Sequence, residues 1–165
     1  MGRLYWITGL AGAGKSGLAR RLFEIMKPQN SALIYLDGDS LREIFDANGQ
    51  YKETQRHQIA MKYSRLCHLL TTQGVDVICA TISMFDDVRD WNRKHISKYT
   101  EIYLEVSFPV LRERNQHGLY SSGQHIRNVV GCDIDAQFPK NPDIVLRNDG
   151  EHTIDELAQC LLEQL

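Results

Sequence analysis

An eight-residue run near the N-terminus constrains this chain more than any other feature. Residues 9–16 read Gly-Leu-Ala-Gly-Ala-Gly-Lys-Ser, a full match to the phosphate-binding pattern G-x-x-x-x-G-K-[ST]. The run follows a short β-rich segment, Leu4 to Thr8, and opens an amphipathic segment, Lys15 to Met26. A strand, a glycine loop and a helix in this order direct backbone N–H groups at phosphate oxygens near a helix N-terminus. The alternative, a chance glycine turn before a helix, does not explain why all three elements are in register.

The positions within this loop predict the binding of a nucleoside triphosphate. Lys15 would bring a positive charge to the β- and γ-phosphates and thereby act in catalysis, and the Ser16 hydroxyl would ligate Mg²⁺. We therefore expect ATP and Mg²⁺ as cofactors. The residues predicted to bind ATP are Gly9, Ala11, Gly12, Ala13, Gly14, Lys15 and Ser16.

Strand-like and helical segments alternate along the rest of the chain. The predicted strands are Ala32–Leu36, Val75–Ile82, Glu101–Val106 and Ile144–Leu146, and the predicted helices are Ser40–Phe45, Thr54–Thr72, Val88–Ser97, Pro109–Arg114 and Ile154–Leu165. This alternation predicts one α/β domain over residues 1–165, with a parallel sheet covered by helices on both faces, like the P-loop NTPases and nucleotide kinases. The irregular stretch from Asn115 to Pro142 is long enough to predict a lid, at about residues 115–131.

Four charged residues within or next to the predicted strands and helices are candidates for the catalytic and substrate-binding site. The second strand delivers Asp37 beside the phosphate loop, where a carboxylate can hold Mg²⁺ or accept the proton of an acceptor hydroxyl. Asp39 is the N-cap of the next helix, a site residue, or both. Arg42 is placed to contact an anionic substrate, with a solvated helix residue as the alternative. Arg114 is predicted to neutralise the transferring phosphoryl group, with a cation at a helix C-terminus as the alternative.

The aromatic side chains Tyr63, Phe85 and Trp91 are interpreted as packing residues rather than as base-stacking platforms.

Composition argues against several classes of partner. With 19 Lys and Arg against 21 Asp and Glu, the formal net charge is −2, which provides no general attraction to nucleic acid or to an anionic membrane. No apolar run approaches the length needed to span a bilayer, and glycine interrupts the N-terminal segment too early for a signal peptide. The four cysteines form no C-x-x-C pair. We expect a cytoplasmic protein with reduced thiols.

Several motifs together resemble the adenylyl-sulfate kinase family. Besides the phosphate loop, they are Leu-Asp-Gly-Asp-Ser-Leu-Arg at 36–42, the stretch from Gly74 to Ser83, Arg114 followed by Gly-Leu-Tyr at 118–120, and residues 139–146. The resemblance runs in order over nearly the whole chain. It implies transfer of the γ-phosphoryl group of MgATP to the 3′-hydroxyl of a small nucleotide with an activated 5′ group, commonly by a homodimer. It also implies that Asp37 is the catalytic or metal-organising acid.

The acceptor side departs from the family's motifs, whereas the donor side does not. Arg56 fits the family's first acceptor arginine, but Lys62 ends a stretch that has lost an Asn and an Arg. His117 replaces a lid lysine, and Val129 and Val130 stand where the family has a stacking aromatic. The residues predicted to bind the acceptor are Asp39, Arg42, Arg56, Lys62, Ser83, His117, Val129 and Val130.

These departures favour a relative of adenylyl sulfate as the acceptor. The sibling group with this fold acts on cytidine diphosphoramidate in capsule modification, and a smaller pyrimidine fits beside the two valines. The alternatives are adenylyl sulfate itself, for sulfate assimilation, and another small metabolite such as a nucleoside monophosphate or sugar acid. A non-catalytic nucleotide-binding switch is the remote alternative.

Overall fold

A parallel sheet with helices on both faces organises the part of the chain that the computed structural model describes, residues 1–47, 52–115, 130–131 and 135–165. Its strands are β1 (Leu4–Thr8), β2 (Leu33–Asp37), β3 (Asp76–Ala80), β4 (Tyr99–Glu105) and β5 (Ile144–Arg147). Its helices are α1 (Lys15–Met26), α2 (Gly38–Ile44), α3 (Glu53–Thr72), α4 (Asp86–His95), α5 (Phe108–Arg114) and α6 (Ile154–Leu162). The predicted α/β fold class is confirmed.

The strand order determines where a ligand can bind. The order is β2-β3-β1-β4-β5, and every neighbouring pair is parallel. From the central strand β1 the chain first builds β2 and β3 on one side, then crosses to β4 and β5 on the other. The direction of winding therefore changes at β1, and ligands of such sheets bind outside the carboxyl ends of the strands at that point. The glycine loop leaves β1 at this place.

Strand β1 is buried on both faces and separates two hydrophobic layers. Tyr5 and Ile7 pack with helices α1 and α6, whereas Leu4 and Trp6 pack with α3 and α4. This division follows from the two-residue period of a strand, which sends successive side chains to opposite faces. Because all five residues of β1 are buried, the start of the glycine loop is held by the centre of the core.

The observed bounds of the elements agree with the predicted ones to within three residues, with differences at their ends. Strand β3 stops at Ala80 rather than Ile82, and the next residues form a loop in which Ser83 has a φ of 27°, a value incompatible with a continuing strand. Helix α4 begins at Asp86 rather than Val88, since two aspartates in its first turn suit the positive end of the helix dipole.

The predicted lid lies mainly outside the described residues, which omit 116–129 and 132–134. The described residues 135–143 form neither helix nor strand, as the sequence predicted. In the described part of the chain, no helix combines the length and the apolar character that crossing a membrane requires.

Candidate active site

The glycine loop presents the N-terminus of α1 to a phosphate-sized anion. Gly14 precedes α1 with a φ of +95°, a left-handed conformation that glycine adopts without strain. A side chain there would also collide with Asn148, whose Nδ2 lies 2.8 Å from the position of a Cβ. Within the described residues, no side chain caps this end of α1 and its first turn holds no acidic residue. The N–H groups and the positive end of the dipole therefore remain available for an anion.

The side chain of Lys15 lies across the glycine loop. Its Nζ donates a hydrogen bond to the carbonyl oxygen of Leu10 at 2.7 Å. Burial lowers the pKa of Lys15 to about 8, an effect that the carboxylates of Asp39 and Asp37 partly oppose. A phosphate anion in the loop would favour the charged form of this amine and would compete with the Leu10 carbonyl for it.

Asp37 ends strand β2 and is held by hydrogen bonds on both carboxylate oxygens. Its Oδ2 accepts the Tyr35 hydroxyl at 2.6 Å, and its Oδ1 accepts the backbone N–H of Asp39 at 3.0 Å. Burial raises the pKa of Asp37, but hydrogen bonds from Ser16, Tyr35 and the Asp39 N–H, together with the charge of Lys15, outweigh burial and lower it overall. Asp37 is therefore an ionised carboxylate beside the phosphate loop.

The pair of Ser16 and Asp37 fits the chemistry of Mg²⁺. The Ser16 side chain lies close enough to Asp37 to lower the pKa of that carboxyl, and the two side chains supply one hydroxyl and one carboxylate. Mg²⁺ prefers such oxygen ligands, keeps several waters and takes further ligands from nucleotide phosphates. In the part of the chain that is described, no group of three or more His, Cys, Asp or Glu side chains could hold a metal without a nucleotide. A Mg²⁺ ion at this pair would thus be shared with the phosphates of ATP.

The N-cap role that was considered for Asp39 is wrong, because Asp37 caps helix α2. Helix α2 begins at Gly38, directly after the strand, two residues earlier than an N-cap at Asp39 requires. Asp39 lies within the first turn of α2 with its side chain 87% exposed, and its carboxylate is 3.7 Å from the Arg42 guanidinium. This position leaves Asp39 at the mouth of the site, near both Lys15 and Arg42.

A cleft that is open to solvent lies beside α2, between helix α3 and the loop that follows β3. The lining residues are Arg42, Ala47, Arg56, Ile59, Tyr63, Thr81, Ile82, Ser83, Met84, Phe85 and Val130. Four residues predicted to bind the acceptor, Arg42, Arg56, Ser83 and Val130, therefore meet in one place. Two guanidinium groups in a cleft with mainly apolar walls suit a ligand that carries both an anionic group and a ring.

Lys62 is the described residue that was predicted to bind the acceptor and lies away from both the cleft and its mouth. Lys62 does not line the cleft, and its amine instead lies 5.8 Å from the centre of the Phe45 ring. His117 and Val129 fall outside the described residues. Lys62 therefore lies outside the cleft in this structure.

Sequence analysis did not assign Tyr35, Tyr63 or Phe85 to the site. Tyr63 and Phe85 were interpreted as packing residues, and they are 2% and 7% exposed in the core, yet both also line the cleft. The position of Phe85 just after the carboxyl end of β3 was an available signal, because ligands bind at that edge. Tyr35 was also missed, although its spacing of two residues from Asp37 places both on one face of β2.

Arg114 lies beside the phosphate loop from the end of helix α5. Its guanidinium donates to the carbonyl oxygens of Gly12 at 3.3 Å and Asn148 at 2.8 Å. The buried amide of Asn148 in turn donates to the carbonyl oxygen of Ala13 at 2.8 Å. Arg114 and Asn148 together brace the outer side of the loop, so the arginine is within the donor half of the site.

The fold and this site define a P-loop phosphotransferase: a strand, glycine loop and helix for phosphates, with a lysine, a serine and a carboxylate around them. The chain belongs to the adenylylsulphate kinase family, whose sequence model matches residues 1–147. The predicted resemblance is thereby confirmed, and the protein is a nucleotide kinase of that type.

Individual relatives cover nearly the whole chain. Cytidine diphosphoramidate kinase of Campylobacter jejuni is 39% identical over 98% of this chain and 95% of its own length. Adenylyl-sulfate kinase of Gloeothece citriformis is 30% identical over 97% of this chain and 92% of its own. The structure of Mycobacterium tuberculosis APS kinase CysC in complex with AMPPNP and APS superimposes with a TM-score of 0.87 at 29% identity, covering 99% of this chain and 96% of that one.

Proposed function

We propose that this kinase transfers the γ-phosphoryl group of MgATP to the 3′-hydroxyl of a small nucleotide with a charged, activated 5′ group. The observation that carries the proposal is the placement of Arg42 and Arg56 in one cleft that otherwise has mainly apolar walls. Guanidinium groups bind phosphate-like groups through paired charge-assisted hydrogen bonds. The apolar walls, among them Phe85, offer a surface for a base.

The acceptor that we favour is cytidine diphosphoramidate. Support comes from the relative of that name, which at 39% identity exceeds the adenylyl-sulfate kinases at about 30%. The departures at Lys62, His117, Val129 and Val130 fall on the acceptor side alone, as expected if the acceptor rather than the donor has changed. A cytosine ring needs less stacking surface than adenine, which agrees with a valine, Val130, in the cleft wall. Adenylyl sulfate is the alternative.

Four residues carry the proposed chemistry. Lys15 neutralises the β- and γ-phosphates, and Asp37 organises Mg²⁺ with Ser16 or takes the proton of the 3′-hydroxyl. As the new oxygen–phosphorus bond forms, the bond between the γ-phosphorus and the bridging oxygen breaks, and ADP leaves with that electron pair. Arg114 stabilises the charge on the donor side.

Release of ADP with a panel of acceptors tests this function. The panel holds cytidine diphosphoramidate, adenylyl sulfate, CDP, CMP and AMP, each with MgATP, and an Asp37→Asn variant serves as the inactive control. Stimulation by the cytidine compound alone supports the favoured acceptor. Stimulation by adenylyl sulfate instead selects the alternative, and ADP release that no acceptor stimulates contradicts a kinase for this substrate class.

Three further features remain proposals. A homodimer follows from the resemblance, and sedimentation equilibrium or light scattering measures it directly. A single domain with a lid at about residues 115–131 and a cytoplasmic location likewise stay predictions.

A further inference from the structure

Tyr35 lies on the edge strand β2, and its hydroxyl is beside the phosphate loop. It lies two residues before Asp37 on β2, so both side chains leave the same face of the sheet, toward helix α1. Its hydroxyl donates to Asp37 Oδ2 at 2.6 Å and lies 3.4 Å from the carbonyl oxygen of Ser16. The hydroxyl therefore touches the two residues that are proposed to hold Mg²⁺.

The Tyr35 hydroxyl donates its single proton to Asp37 rather than to the carbonyl oxygen of Ser16. A hydroxyl has one proton to donate, and a bond of 2.6 Å to a carboxylate is shorter and stronger than a contact of 3.4 Å to a carbonyl. The Asp39 N–H already holds Asp37 Oδ1 at 3.0 Å. One such bond leaves the plane of a carboxylate able to rotate, whereas a second bond on the other oxygen fixes it.

The ring of Tyr35 is itself held in place. It is partly buried, packs against the core layer of α1, and its centre lies 6.3 Å from that of the Phe23 ring. A hydroxyl on a ring anchored between β2 and α1 keeps a set distance between the strand that carries Asp37 and the helix that begins with Lys15 and Ser16.

We propose that Tyr35 is a positioning residue, which orients the Asp37 carboxylate toward Ser16 and the phosphate loop. The carboxylate of Asp37 is then already oriented before MgATP binds, so binding requires no rotation of this side chain. The inference rests on the proposed role of Asp37 and does not depend on which nucleotide is the acceptor.

The variant Tyr35→Phe isolates the hydroxyl, because phenylalanine keeps the ring and its contact with Phe23. Tyr5→Phe is the matched control. Tyr5 lies in the same core layer, level with Tyr35 through their shared partner Ile78, and its ring contacts Arg3 rather than the phosphate loop. Asp37→Asn completes the set, since it tests Asp37 itself.

Two measurements separate a positioning role from a structural one. The first is steady-state kinetics with MgATP and both cytidine diphosphoramidate and adenylyl sulfate. The second is calorimetric binding of ADP, in the presence of Mg²⁺ and in EDTA. For Tyr35→Phe we expect kcat to fall about 10- to 100-fold with little change in the KM for ATP. We also expect ADP affinity to be normal in EDTA, while the gain in affinity on adding Mg²⁺ is reduced.

The outcomes are distinguishable. Equal behaviour of Tyr35→Phe and Tyr5→Phe in both measurements overturns the inference, and so does a loss of ADP affinity in EDTA as large as the loss of kcat. If Asp37→Asn keeps full activity, the proposed role of Asp37 fails and the inference fails with it. If neither acceptor is used, the proposed acceptor fails, and the binding measurements alone decide the role of Tyr35.

Discussion

The Nε of Arg89 on helix α4 lies 3.3 Å from Oε1 of Glu101 on strand β4, and both side chains are buried, at 4% and 5% exposure. The same guanidinium donates to the Asp86 carboxylate and to the Gln137 carbonyl oxygen, and Arg93 supports Glu101 from the other side. A buried charge is tolerated only where partners replace its water. This group of residues thus ties α4 and residue 137 to the sheet behind the cleft.

Arg89→Leu should lower the free energy of unfolding by about 3 kcal/mol, because it leaves Glu101 buried with only Arg93 to compensate. The double variant Arg89→Leu, Glu101→Leu should recover part of that loss, since it removes both charges. Urea unfolding followed by circular dichroism measures both values. Arg65→Leu, on the exposed face of α3, is the control for loss of an arginine. A double variant that is less stable than the single one would contradict this account.

The stability that this network gives the fold depends on pH because of Asp143. Burial raises the pKa of Asp143, but hydrogen bonds from Arg93 and from the Glu101 N–H outweigh burial and lower it overall from 3.8. A carboxylate whose pKa is lower in the folded state stabilises the fold above pH 3.8, and that contribution is lost as the pH falls through the folded value.

Asp143→Asn should therefore cost about 1 kcal/mol at pH 7, a small figure because this side chain is more than a third exposed. The difference from the parent protein should shrink as the pH falls below 3.8. Urea unfolding at a series of pH values checks this, with Asp90→Asn on the exposed side of α4 as control. A difference that stays constant down to pH 2 would show that the charge of Asp143 is not what stabilises the fold.

The phosphate half of the site could be predicted because its geometry is local. The run from Gly9 to Ser16 encodes its own loop, and the flanking periods of two and 3.6 residues identify strand and helix without knowledge of the rest. Asp37 was predictable for a similar reason, since a strand end carries its side chain to the ligand-binding edge of the sheet.

The cleft was less predictable because distant segments form it. Phe85 reaches it only because β3 lies next to β2 in the sheet, and the order of strands is set by the whole fold rather than by any local pattern. Likewise, the N-cap depended on where α2 begins after β2, a boundary that differs by two residues between the two alternatives. The position of Lys62, in contrast, could have been predicted. Its spacing from Arg56 along helix α3 places the two side chains on different sides of the helix.

Gln137 fastens the wall of the cleft. Its backbone N–H donates to the Met84 carbonyl oxygen at 3.1 Å, and its side-chain oxygen accepts the Asp86 N–H at 2.6 Å. The substitution Gln137→Ala removes the side-chain oxygen that accepts the Asp86 N–H, and it therefore loosens the turn that contains Phe85. We expect the KM for the acceptor to rise about 5- to 30-fold, which corresponds to one or two hydrogen bonds, with the KM for ATP little changed.

The measurement for Gln137 is initial-rate kinetics in which each substrate is varied in turn. Gln159→Ala, an exposed position on α6, is the matched control and should leave both KM values as they are. A rise confined to the KM for ATP would show that the turn serves the donor instead of the acceptor.

Arg56 and Lys62 lie on the same helix, and the structure gives them different surroundings. At 3.6 residues per turn, a spacing of six positions turns the helix by about 600°, so Lys62 lies about 120° around the α3 axis from Arg56. Ile59 and Tyr63, at spacings of three and seven residues from Arg56, share its face and line the cleft with it. Lys62 faces the Phe45 ring instead.

Arg56→Ala should therefore raise the KM for the acceptor at least about tenfold, because a charge-assisted contact to an anionic group contributes about 1.5–3 kcal/mol. Lys62→Ala should leave that KM within about twofold, since surface charges outside a site contribute little. Kinetics with cytidine diphosphoramidate and with adenylyl sulfate compare the two variants. Equal losses would mean that Lys62 moves to the acceptor when it binds, and that it then does part of the work of the arginine that the family has and this chain lacks.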